Sequence, residues 1–119
     1  MDLYSNIKKI SSTIWFLSLG IVVYFSLSSE IDQSIPFWNF DKIYHVITYC
    51  WLAILPSAFF KRHCITQSTL FLFAMGVFIE IIQELTGRQF SFADMMANGI
   101  GIFIGWKLGL FLRNTAASQ

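Results

Sequence analysis

Residues 91–112 read SFADMMANGIGIFIGWKLGLFL. Ser91 stands three positions before Asp94, the spacing of a capping box that opens a helix. From there Asp94, Asn98, Gly101, Gly105 and Gly109 recur at helical spacing on one face, with mostly large apolar residues between them. The lower part of that face is a double small-xxx-small pattern, which lets helices in a membrane approach closely. This stretch predicts a membrane helix packed tightly on a neighbour, with Asp94 and Asn98 carried inward at its start.

The rest of the chain agrees. Of its 119 residues, 55% are hydrophobic and only 13% charged, where a soluble domain carries about 25% charged residues. Mean hydropathy is +0.61. Four apolar segments approach the roughly 20 residues a span requires: 10–27, 43–60, 66–85 and 92–112. Short connections make consecutive helices antiparallel neighbours. The expectation is an all-α membrane protein, a single domain over residues 1–119 built as a four-transmembrane-helix bundle. Lys8 and Lys9 before an apolar run also fit a signal peptide, but Trp15, Phe16, Tyr24 and Phe25 make that run unusually aromatic. An uncleaved signal-anchor helix is therefore expected. A net charge of +1 gives no basic field for nucleic acid. Cys50 and Cys64 form no disulfide scaffold and no CxxC metal signature.

Orientation follows the positive-inside rule. With the N-terminus in the cytoplasm, Lys8, Lys9, Lys61, Arg62, Lys107 and Arg113 lie inside and only Lys42 and Arg88 outside. Both termini are then cytoplasmic. The carboxylates run the other way: Glu30, Asp32, Asp41, Glu80, Glu84 and Asp94 all fall on the outer half, and only Asp2 inside.

The outer half is where chemistry concentrates. Asp41 opens the second helix, with His45 one turn below it and Tyr49 one turn deeper. Glu80 lies five residues before the outer end of the third helix, roughly 7 Å at helical rise. Gln83 and Glu84 are one turn above it. Asp94 and Asn98 enter from the same side on the fourth helix. Ionisable groups in membrane segments are costly and usually face a bundle interior. Candidate acid–base residues are His45, Glu80 and Asp94; candidate ligand contacts are Asp41, Lys42, Tyr49, Gln83, Arg88 and Asn98. Asp41, His45, Glu80 and Asp94 are also of metal-ligand type, so a divalent metal is an open alternative.

Each residue has a plainer reading. Asp94 fits the capping box, and Asp41 suits a helix N-terminus with no further task. Lys42 and Arg88 suit snorkelling to the interface. His45 alone reads as a packed histidine, Glu84 as a solvated one among the acids, and Pro56 as a kink. Glu80 is hardest to dismiss, because it lies below the interface near a helix C-terminus, where the dipole disfavours negative charge.

Taken together, Asp41-Lys42-xx-His45-xxx-Tyr49, Glu80-xx-Gln83, Gly87-Arg88 and Ser91-xx-Asp94-xxx-Asn98-xx-Gly101-xxx-Gly105 resemble the VanZ-like family. Its members are small bacterial membrane proteins named after an accessory protein of teicoplanin (glycopeptide) resistance. The pattern covers about residues 41–105. The resemblance implies the bacterial cytoplasmic membrane and an envelope-related role, and carries no settled activity. Between Arg88 and Asp94 this chain has Gln89-Phe90-Ser91-Phe92-Ala93, where an acidic residue is common in the family.

Two functions compete. One is a site for an anionic lipid or lipid-linked envelope precursor at the outer leaflet, recognised or modified there. Two outward helix N-termini, Lys42 and Arg88 favour an anion. The other is a non-catalytic interaction or structural protein that modulates the envelope. No nucleophile or enzyme signature decides between them, and Asp41, Glu80, Glu84 and Asp94 outnumber Lys42 and Arg88. Transport is disfavoured, because helix four below Asn98 stays apolar until Lys107.

Overall fold

The computed structural model describes residues 2–28, 38–87 and 91–118, the side chains of residues 38–41 excepted. These residues form four α-helices and no strand: α1 Leu3–Leu27, α2 Trp38–Phe59, α3 Arg62–Leu85 and α4 Phe92–Ala117. The helices overrun the apolar segments that predict them. α1 takes in Lys8 and Lys9, and α4 continues past Arg113. An apolar span ends where side chains leave hydrocarbon, whereas a helix ends only where its backbone hydrogen bonds stop.

The molecule measures 49 × 23 × 23 Å, against a hydrocarbon core of about 30 Å. By length and composition α1, α3 and α4 are fit to cross a membrane. α2 has similar length but carries Lys42 and His45 in its first turns. Polarity is inverted relative to a soluble globule. Phe16, Leu17, Phe78, Phe103 and Phe111 are exposed, while Ser57, Glu80, Gln83 and Asn98 are buried. Such a surface suits lipid, not water.

α2 is the hub. It touches α1, α3 and α4, whereas α1 and α4 share no contact among the described residues. Consecutive helices do pack together, but the most extensive interface joins α2 to α4, which are not consecutive. The glycine face explains this. A Cβ on Gly101 would lie 2.5 Å from the Val46 carbonyl oxygen, one on Gly105 would strike the Cys50 carbonyl and Ala53, and one on Gly109 would strike Ser57. The partner positions advance with the glycines, so α2 and α4 run parallel, backbone against backbone. The Ser57 hydroxyl is buried in this seam without a hydrogen-bond partner.

Two side chains repair the backbone of α2. Pro56 has no N–H, which releases the Leu52 carbonyl one turn back. α2 nevertheless continues to Phe59, and the Trp15 indole N–H of α1 donates to that carbonyl at 2.8 Å. Trp15, Leu19 and Val22 pack beside it against Leu52 and Leu72. At the C-terminal end of α2, Arg113 of α4 donates to the Ser57 carbonyl at 2.9 Å and to the Phe60 carbonyl. Those carbonyls belong to the last turn of α2 and the residue after it, where a helix has no donors of its own.

Candidate functional site

The site begins with how α4 starts. The Ser91 hydroxyl accepts the Asp94 N–H at 3.2 Å, forming the first half of a capping box. In a complete box, the Asp94 carboxylate would reach back to the Ser91 N–H. That N–H instead donates to Glu80 Oε1 of α3, at 2.7 Å. A neighbouring helix thus supplies the second half of the cap. The Asp94 carboxylate turns to α2, with Oδ2 3.9 Å from His45 Nε2.

His45 Nδ1 lies 2.8 Å from Asn98 Oδ1. An amide oxygen only accepts, so Nδ1 donates and holds a proton. Nε2, the other ring nitrogen, faces Asp94. At 3.9 Å the pair is an ion pair whenever the imidazole is fully protonated. Beneath them, a Cβ on Gly76 would lie 3.1 Å from Asn98 Nδ2 and 3.2 Å from the Tyr49 hydroxyl. Gly76 therefore lets α3 close over both. Glu80 is one turn along α3 from Gly76, which aligns it with the same cluster.

Depth divides the cluster in two. Glu80 is 2% exposed, Tyr49 3% and Asn98 4%. The side chains of His45 and Asp94 are 14% and 13% exposed. The His45–Asp94 pair is the mouth, and the other three form a sealed floor. Such a buried polar group is retained at a cost in membrane. The arrangement presents an imidazole and a carboxylate at its mouth and keeps hydrogen-bonding groups dry behind it.

The sequence profile of the VanZ/LLP1 family matches residues 3–113. The chain belongs to the VanZ/LLP1 family. No curated protein and no solved structure matches it. The family match takes in α1 as well as the 41–105 pattern, so the Trp15 contact with α2 lies within the family's own span.

The remaining candidates of this VanZ/LLP1 membrane protein are distributed differently. Lys42 is half-buried on α2, one turn N-terminal to His45. Gln83 is 8% exposed and donates through Nε2 to the Ser26 carbonyl at 2.6 Å. It thereby ties α3 to the last turn of α1, whose carbonyls need donors. Glu84 is exposed. The Asp41 side chain and Arg88 lie outside the described residues. Among the described residues no three His, Cys, Asp or Glu side chains come together as a metal-binding group; of the four metal-ligand candidates, His45 and Asp94 are paired and Glu80 holds the Ser91 N–H. The role of Ser91 as the backbone donor to Glu80 is missed by sequence reasoning. Its only sequence signal is the capping box, which points to Asp94 instead.

Proposed function

We propose that this VanZ/LLP1 protein is a four-span protein of the bacterial cytoplasmic membrane, with both termini in the cytoplasm, that recognises an anionic lipid or lipid-linked envelope precursor in the outer leaflet. The observation that carries the reading is the mouth-and-floor division of the cluster. His45 and Asp94 are partly accessible above buried Tyr49, Glu80 and Asn98. A purely structural polar network gains nothing from a mouth, whereas a recognition site requires one. Glu80 stays within the floor, its Oε1 engaged by the Ser91 N–H, so a headgroup at the mouth meets His45 and Lys42 first. Family membership supports an envelope ligand, and with it a link to glycopeptide resistance. The proposal is one of recognition; His45 and Asp94 also have the positions needed for proton transfer to a bound headgroup.

Native mass spectrometry of the gently purified protein tests this by reporting bound lipid and metal together. Wild type should retain an anionic lipid. His45→Gln keeps a donor for Asn98 and should stay folded, but removes the imidazole that a headgroup meets at the mouth and should lose the lipid. A folded His45→Gln protein with undiminished lipid would sink the site. Single cysteines at positions 34 and 89 should label from outside in intact cells; labelling only after the membrane is opened would reverse the orientation.

A further inference from the structure

We infer that the α2–α4 seam carries a second, apolar subsite: a groove that seats an acyl chain of an anionic phospholipid while Lys42 holds its headgroup phosphate. The inference rests on the lipid-recognition reading above and names the lipid class and the seat of its tail. The groove has a volume of about 440 Å³. Ile43, Val46 and Ile47 line it from α2, and Ala93, Met96, Ala97 and Ile100 from α4, with Lys42 the one charged residue in its wall among the described residues.

The concavity has a cause in the sequence. Ala93 and Ala97 are short side chains one turn apart on α4, while Ile43, Ile47 and Ile100 stand exposed beside them. The groove is floored where Gly101 brings α4 against the Val46 backbone. From Ala93 to Ile100 it runs roughly 10 Å along the helix axis, about two-thirds of the depth of one leaflet of a core about 30 Å thick. Lipid tails run in that direction too. Among the described residues the lining of the groove comes from α2 and α4 alone.

Charge selects the headgroup. Lys42 is half-buried at the outward end, where a lysine stem lies along apolar surface and its ammonium reaches the interface. A phosphate without a cationic group beside it complements that ammonium. The amine of a zwitterionic headgroup opposes it. The subsite and the polar cluster therefore share one seam: Lys42 and Ala93 belong to the groove, and His45 and Asp94, three and one residues on, belong to the mouth.

The test uses the full chain in nanodiscs with two photoreactive lipids that carry the same diazirine-bearing acyl chain, one a phosphatidylglycerol and one a phosphatidylethanolamine. Adducts are mapped by peptide mass spectrometry. Phosphatidylglycerol should label Ile47, Met96 and Ile100 about fivefold more than phosphatidylethanolamine does, the value of one lysine at a charged lipid surface. Lys42→Gln should erase that preference. Ala93→Phe fills the groove from an exposed position and should abolish the labelling while the unfolding midpoint holds. Equal labelling by both lipids, or labelling spread evenly over every exposed helix face, overturns the inference. So does displacement of phosphatidylglycerol from the groove by a polyprenyl phosphate, or disulfide-linked dimers of Met96→Cys that exclude the probe. An unlabelled groove in a protein that still retains anionic lipid refutes the subsite alone. Loss of anionic lipid from wild type refutes the recognition reading with it.

Discussion

Gly101→Ala adds one methyl group to the α2–α4 seam. That carbon would lie 2.5 Å from the Val46 carbonyl oxygen and 3.1 Å from the Cys50 nitrogen and Val46 Cα. Carbon–oxygen contacts of this kind settle at about 3.3–3.6 Å, so the seam must open by roughly 1 Å. The opposing atoms are backbone, so no rotamer change can make room. Overpacking of this sort costs about 1–3 kcal/mol, and here the upper end applies. Alanine also returns up to ~1 kcal/mol of helix propensity, leaving a net loss of about 1–2 kcal/mol. Gly20→Ala is the control, because nothing lies within 4 Å of a Cβ there. It should be neutral or slightly stabilising. The difference between the two variants isolates the seam, about 2–3 kcal/mol. Unfolding midpoints in mixed micelles, followed by circular dichroism during a denaturing-detergent titration, measure it. Gly105→Leu should part the two helices further. A Gly101→Ala midpoint equal to or above that of Gly20→Ala would refute the close-approach reasoning.

Two further outcomes concern the backbone of α2. Trp15→Phe keeps an aromatic ring but leaves the Leu52 carbonyl, released by Pro56, without its donor; the cost should be about 1–3 kcal/mol in the same titration, and no loss would mean that the indole bond contributes nothing. Arg113→Ala removes the donors to the Ser57 and Phe60 carbonyls and should cost about 1–3 kcal/mol. Arg113→Lys should recover only part of this, because lysine lacks the planar fork; full recovery would show that charge alone matters.

Much of the design is legible in single residues. The glycine face of α4 announces close packing, and Asp94 and Asn98 announce the side from which polarity enters. Glu80 stands out as a carboxylate that needs a partner. The partners themselves are hidden, for physical reasons. A small-xxx-small face says that some helix approaches, and antiparallel neighbours are the simple choice, yet the glycines sit on parallel α2. Glu80 engages a backbone N–H, which every residue but proline carries, so no letter marks the donor. Gln83 has the spacing of a site residue, but the nearest unsatisfied carbonyl belongs to Ser26 of α1. Arg113 reads as a topology signal and is also the donor that finishes α2.

The parallel seam sets an order of events during synthesis. His45 and Asn98 are 53 residues apart, and α3 must be made and threaded before they meet. Until α4 leaves the ribosome, α2 stands in the membrane with its imidazole unsheltered and the Gly-facing side of its backbone bare. The helix least suited to lipid must therefore wait longest for its partner. A nascent chain halted before Asn98 would present a long-lived, half-sheltered α2 to the insertion and quality-control machinery, and completion of the last helix would be the moment at which the protein escapes both.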